Sequence, residues 1–287
     1  MRIDIIDTIT DPGKAGRANE DRLGFNRDAA FVLDGATGLG DRQFMPAYGS
    51  DAAWIAEFAA ARLTDSFTAN ADVRQTVRTI SAAARTAFAA VAGDHPRYAW
   101  PLAAFAALRA TPQALQFCGF GDSVVYILHD DGRAETFTAL PEAPVREQAA
   151  ARIHVERLGG IGAGGIATSD PQTLEQLRRS RERQNTNEGT VWSFGLVPEA
   201  ADHLVTQDVV MTGGATAIIC SDGLADLVTL YGAYDAGGLV RRAATAGLRP
   251  LLGELRRFER ELDPDGLTYP RFKQSDDTTA ILCRLEI

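Results

Sequence analysis

Acidic residues stand at the edges of apolar runs near both ends of this chain, and their placement constrains the fold more than any other feature. Four motifs carry it: Asn19-Glu20-Asp21, Leu33-Asp34-Gly35, Cys220-Ser221-Asp222-Gly223 and Ser275-Asp276-Asp277-Thr278. A fifth, Gly121-Asp122-Ser123, follows the same rule. Taken singly, an aspartate just past a strand is a turn former or a helix N-cap. Taken together, carboxylates converging from both ends of a chain repel one another unless something cancels their charge. Mg²⁺ and Mn²⁺ do so, because hard cations prefer oxygen ligands. Motifs near residues 20 and 276 that must meet in space favour one domain, spanning residues 1–287.

Bulk composition agrees with a folded enzyme. The chain has 287 residues and is 45% hydrophobic, enough for a large buried core. Its formal charge is −9, and no basic stripe argues for nucleic acid. Cys118, Cys220 and Cys283 lie in apolar runs without metal spacing, so they read as buried reduced thiols. The start, Met1-Arg2-Ile3-Asp4, lacks a signal-peptide core, and no apolar run approaches the roughly 20 residues that span a bilayer. No membrane association is expected, and the expected location is the cytoplasm.

Periodicity gives the organisation. Ile3–Thr10, Leu23–Asn26 and Ala30–Asp34 read as strands. Asp51–Ala69 and Asp72–Ala92 carry apolar residues at helical spacing. Strands follow at Leu102–Arg109, Leu115–Gly119, Val124–His129 and Ala134–Thr138. They resume near Val191, at Leu204–Met211, at Ala215–Cys220 and at Thr279–Leu285, with helices at Leu224–Leu230, Leu239–Ala246 and Leu251–Leu262. Strands in hairpin-like succession with paired helices point to antiparallel sheets covered by helices rather than a doubly wound parallel sheet. The expected class is α+β, a four-layer α-β-β-α sandwich of two antiparallel sheets, with the acids at one edge.

In order and spacing the motifs resemble those of the PP2C (PPM) metal-dependent protein phosphatases, from Arg17 to the C-terminus. The strongest matches are Asn19-Glu20-Asp21, Val32-Leu33-Asp34-Gly35, Gly121-Asp122-Ser123-Val124-Val125-Tyr126, Cys220-Ser221-Asp222-Gly223-Leu224-Ala225-Asp226 and Ser275-Asp276-Asp277-Thr278-Thr279. The resemblance implies a phosphoserine/phosphothreonine phosphatase with two core Mn²⁺ or Mg²⁺ ions and a third, weaker one. Asp34 would bridge two ions and the Gly35 carbonyl would bind one. Asp222 and Asp276 would serve the second, and Glu20 and Asp21 the first, partly through water. Asp122 and Asp226 would join Asp222 at the third. Two ions roughly 3.5–4 Å apart would activate a bridging hydroxide for in-line attack on phosphorus. The implied partners are a phosphorylated protein and a cognate serine/threonine kinase or its targets.

Four positions depart from the family pattern. Arg17 is read as the candidate phosphate-binding catalytic residue that the resemblance implies, although the family's arginine stands five residues before the Asp of its Glu-Asp pair and Arg17 four before Asp21. Ala36 replaces the histidine that eukaryotic members place after the first Asp-Gly, leaving water to protonate the leaving group. The usual Asp-Gly-x-Gly-Gly becomes Asp34-Gly35-Ala36-Thr37-Gly38. Asp277 stands where the family has asparagine, so Asp276 is read as the ligand and Asp277 as its support, although sequence alone allows the reverse. A phosphoprotein-binding module without turnover, or a phosphatase for small phosphate esters, are the alternatives.

The segment 141–188 reads as a flap that sets substrate choice rather than chemistry, and as the most mobile part of the chain. Its Arg178, Arg179, Arg181 and Arg183 fit a solvated helix face first and a phosphopeptide-recognition surface second. Its Gly160-Ile161-Gly162-Ala163-Gly164-Gly165 matches a dinucleotide fingerprint only formally, since a helix does not open within it. Ser169 or Asp170 reads as the N-cap of a later helix. His95, His129, His154 and His203 share no metal spacing and read as surface or loop residues.

Overall fold

Strand β3 (Ala29–Gly35) shows how the sequence sets the layers. Its odd residues Ala29, Phe31 and Leu33 pack with the helices, while Ala30 and Val32 pack between two sheets. A strand buried on both faces cannot alternate apolar with polar residues, which is why it reads as a continuous apolar run. β4 (Leu102–Ala110) behaves alike: Ala103, Phe105 and Ala107 face the helices, and Ala106, Leu108 and Ala110 the other sheet.

A computed structural model describes residues 1–162 and 169–287. One antiparallel sheet has the order β2 (Arg22–Phe25), β3, β4, β5 (Leu115–Phe120) and β9 (Val205–Val209), with β8 (Phe194–Gly195) also paired to β4. The other has the order β1 (Arg2–Asp11), β11 (Thr278–Glu286), β10 (Ala215–Cys220), β6 (Val124–His129) and β7 (Ala134–Thr138). Their facing sides form the central core around Val32, Leu108, Phe117, Ile127, Ile219 and Ile281. Helices α1 (Asp51–Ser66) and α2 (Val73–Ala92) cover the first sheet through Ala56, Leu63, Val77 and Ile80. Helices α5 (Asp222–Thr229), α6 (Ala236–Ala246) and α7 (Leu248–Arg257) cover the second through Leu224, Leu239, Val240 and Leu251. This is the α-β-β-α sandwich of two antiparallel sheets. Ser50, Asp72 and Asp235 cap α1, α2 and α6 by accepting from the backbone N–H of Ala53, Gln75 and Gly238.

Between β7 and β8 lie α3 (Ala143–Leu158) and α4 (Pro171–Glu182). Asp170 caps α4 by accepting from Thr173 N at 2.8 Å. Ala163, Gly164, Gly165, Ile166, Ala167 and Thr168, including half of the glycine-rich run, lie outside the described residues. Two sequence expectations change here. No strand forms at Val191; its carbonyl accepts from Asn185 N in a loop, and the two-residue β8 follows. His129 and His154 are buried, not surface residues. Each is partnered: His129 Nε2 meets Glu135 at 2.6 Å, and His154 contacts Thr173 and Arg157. The three cysteines are free and buried. Among the described residues no helix is long and apolar enough to cross a membrane.

Candidate metal centre

Strand register brings the acids to one end of the sandwich. Cys220, the last residue of β10, sits opposite both Val124 of β6 and Ala280 of β11. Asp222 just after β10, Asp122 just before β6 and Asp276 just before β11 therefore emerge at the same end. In the first sheet Asp34 pairs with Ala104, whose own end of β4 faces the β5–β6 turn through Phe105 and Phe120. Carboxylate oxygens of Asp34, Asp122 and Asp222 consequently lie within 4.8 Å of one another. They line one cavity of about 250 Å³ together with Gly35, Glu147, Arg181, Lys273 and Asp276.

Charge makes this cluster costly by itself. Burial, reinforced by Asp122 and Asp276, pushes the Asp34 carboxyl up to about 7. Burial and then Asp34 raise Asp222 well above the carboxylate range, and burial with Asp276 raises Asp122. Asp21 is raised by burial and by Asp34, and its Oδ2 has no hydrogen-bond partner among the described residues. An orphaned buried carboxylate oxygen beside three like-charged neighbours is unfavourable without a cation. The donors are all oxygen, the chemistry that hard divalent ions require. The residues present fit such ions.

The neighbouring acids are held differently. Glu20 accepts from Ser50 Oγ and Thr37 Oγ1, both at 2.6 Å. Asp277 uses both oxygens as a staple, accepting from Gly13 N at 3.0 Å and Glu20 N at 2.6 Å. Asp276 instead lines the cavity, and its Oδ1 accepts from Lys273 Nζ at 2.6 Å. Burial alone would lower the Lys273 ammonium, but Asp276, Glu20 and Asp222 outweigh it and hold it above the usual lysine value. Asp226 lies one helical turn after Asp222, raised by burial and by Glu147. It lines an adjoining cavity with Asp122, Glu147 and Asp222.

Gly35 and Gly223 allow these approaches. A Cβ on Gly35 would collide with the Glu20 carbonyl, and one on Gly223 with the Asp277 carbonyl. Gly35→Ala should therefore cost about 1–3 kcal/mol of stability and separate Glu20 from Asp34; a chemical melt of the variant checks it.

Sequence reasoning missed Glu147 and Lys273, and placed Arg181 only among four arginines read first as a solvated face. The Glu147 carboxyl of α3 is pushed up to about 7 by desolvation, Asp122 and Asp276. None belongs to a motif, and only the fold brings them to the acids. Arg17, by contrast, is exposed and lines a neighbouring cavity with Lys14, Glu20, Lys273, Asp276 and Asp277, not the one containing Asp34.

No family model and no curated protein matches the chain. Solved structures do. The Mycobacterium tuberculosis serine/threonine phosphatase PstP/Ppp aligns over 100% of both chains at 17% identity with a TM-score of 0.54. The PPM Ser-Thr phosphatase MsPP from Mycobacterium smegmatis, in complex with cacodylate, aligns over 98% of both at 20% identity with a TM-score of 0.52. The catalytic domain of PstP in complex with two manganese ions aligns over 100% of this chain and 99% of that one, at 15% identity and a TM-score of 0.52. This chain has the PP2C fold. The PP2C architecture accounts for both sheets and the flanking helices.

Proposed function

We propose that this PP2C-fold protein is a metal-dependent phosphatase acting on phosphoserine and phosphothreonine in proteins. The observation that carries the proposal is the convergence of Asp34, Asp122 and Asp222 within 4.8 Å at the edge of this fold. The likeness to serine/threonine phosphatases, one of them holding two manganese ions, supports it. Asp34, the Gly35 carbonyl, Glu20, Asp21, Asp222 and Asp276 would hold two core Mn²⁺ or Mg²⁺ ions, with Asp122 and Asp226 serving a third. Cations held here activate water at neutral pH and neutralise the charge of a phosphoryl group.

The chain's own residues do the rest. Ser50 and Thr37 fix the Glu20 carboxylate through its two oxygens. Asp277 ties the segment carrying Glu20 and Asp21 to the start of β11. Lys273 donates from Nζ to Asp276 Oδ1 at 2.6 Å and places a positive charge beside the acids. None of the four histidines lines the cavity among the described residues.

One contact favours a second reading. The Lys273–Asp276 pair already occupies one carboxylate oxygen, as a binding module with weakened metal affinity would. Assaying phosphoserine, phosphothreonine and phosphotyrosine peptides beside an aryl phosphate, with Mn²⁺, separates the two. Turnover of the first two peptides supports the phosphatase. Phosphopeptide binding without turnover supports the module, and turnover of the aryl ester alone points to a small-molecule substrate.

The roles of the adjacent acids separate by mutation. Asp276→Ala should weaken Mn²⁺ binding about tenfold or more, on the scale of groups that orient and charge a metal site. Asp277→Ala should instead lower stability by about 1–3 kcal/mol, the cost of leaving buried donors unpaired. Calorimetric Mn²⁺ titration and urea melts of both variants check the pair; the reverse pattern would exchange the two roles.

A further inference from the structure

The four arginines of the α4 segment are not equivalent. Arg178 binds out of the cavity: Nε donates to the Leu39 carbonyl at 2.8 Å, Nη2 to Asp41 at 2.6 Å, and the guanidinium lies over the Tyr98 ring. Arg179 is exposed and pairs with Glu175, and Arg183 is exposed beyond the helix end. Arg178 thus clamps α4 onto the loop that follows β3. Glu182 adds a second tie by accepting from Tyr98 N at 3.2 Å. Arg181, three residues on from Arg178, is carried by that clamp into the cavity lined by Asp34, Gly35, Asp122 and Asp222.

Arg181 arrives there unpaired. Its Nη1 is buried with no hydrogen-bond partner among the described residues. A guanidinium carries five N–H donors in a fixed fork suited to a tetrahedral oxyanion. A buried cation with an unmet donor is unfavourable until an anion completes it. Burial lowers its pKa to about 10, opposed by Glu20, so it stays charged at neutral pH. The other cation lining this cavity, Lys273, is already engaged by Asp276. Arg17 is exposed in the neighbouring cavity.

Resting on the phosphatase reading, we propose that Arg181, delivered by α4 across the cavity from the acids, is the side chain that grips the substrate's phosphoryl oxygens, in place of Arg17. The guanidinium orients a phosphate monoester over Asp34 and Asp222. The same contact couples substrate phosphate to α4, so binding phosphate holds this helix against the Leu39–Asp41 loop. Because the phosphoryl group is common to every substrate, the contribution is independent of the peptide attached. The reading of segment 141–188 as setting substrate choice rather than chemistry is thereby altered at this residue.

The test compares Arg181→Met, Arg181→Lys and Arg17→Met in the full chain. Kinetics with an aryl phosphate and a phosphothreonine peptide are read beside inorganic-phosphate binding in Mn²⁺, Mn²⁺ affinity and melting temperature. Arg181→Met should raise KM for both substrates and weaken phosphate binding by about tenfold to a hundredfold, the scale of charge-assisted hydrogen bonds. Mn²⁺ affinity and melting temperature should not fall. Arg181→Lys should recover part of the loss, keeping charge but not the fork, and Arg17→Met should change little. Unchanged KM and phosphate binding in Arg181→Met, or the full loss in Arg17→Met, overturns the proposal. A wild-type chain without turnover counts against the phosphatase reading, whereas phosphate binding that depends on Arg181 in that chain still upholds the contact.

Discussion

Asp34→Asn should cost at least about a hundredfold in Mn²⁺-dependent phosphatase turnover, the scale on which one preorganised electrostatic group acts in catalysis. Asp34 stands at the centre of the acids: its oxygens lie within 4.8 Å of those of Asp122 and Asp222. Its charge also raises Asp21 and Asp222. Removing that charge should have the opposite effect on the metal-free fold. Asp34, pushed up to about 7 by burial and its neighbours, opposes folding wherever it is ionised. The variant should therefore melt higher than the parent in EDTA at pH 8 while losing turnover in Mn²⁺. A thermal melt and an aryl phosphate assay on the same preparation read both. Loss of activity together with lower metal-free stability would mean that Asp34 holds the fold instead.

The second large effect is a pH dependence that metal suppresses. Desolvation and neighbouring acids push the Asp34 and Glu147 carboxyls up to about 7 in the fold, well above their values in an unfolded chain. Between roughly pH 4 and pH 7 the folded state thus binds more protons than the unfolded one, so stability falls as pH rises through that window. The metal-free chain should be more stable at pH 5.5 than at pH 8, by about 2 kcal/mol from Asp34, since each tenfold change in proton affinity is worth about 1.4 kcal/mol; the solvent-exposed Glu147 adds less. Mn²⁺ should reverse the order, because cations bind the ionised acids of the folded state alone. An ion at about a hundred times its Kd adds about 2.7 kcal/mol. Urea melts at the two pH values, with EDTA and with Mn²⁺, measure all four stabilities. A metal-free chain that is more stable at pH 8 would contradict the charge account of the cluster.

The sandwich and the acid edge were legible because both follow from local pattern. Runs such as Ala29–Gly35 and Ala215–Cys220 end on or just before an acid beside glycine, and antiparallel register then carries Asp34, Asp122, Asp222 and Asp276 to one end. Asp277 is consumed by two backbone N–H groups, whereas Asp276 lines the cavity. Arg181, Glu147 and Lys273 were hidden for the opposite reason. Each lies outside any motif, and its direction depends on a distant contact. Arg181 is one of four arginines on polar α4 and its end, and only the Arg178 clamp to Leu39 and Asp41 fixes which one turns inward. The burial of His129 and His154 was hidden similarly: imidazoles tolerate burial once partnered, and nothing in the local pattern marks Glu135 or Thr173 as those partners. Arg17 shows the limit of motif spacing, for the chain leaves β1 through Gly13 and carries it outward to solvent.

The carboxylates of Asp34, Asp122 and Asp222 are proposed to form a divalent-metal site that hydrolyses phosphate monoesters. Its most direct test strips the full chain with EDTA, removes the chelator and titrates Mn²⁺ back while following aryl phosphate hydrolysis. No turnover is expected in the stripped chain, with a saturable return on Mn²⁺ in wild type but not in Asp222→Asn. Turnover that survives stripping, or that returns equally in Asp222→Asn, would contradict it.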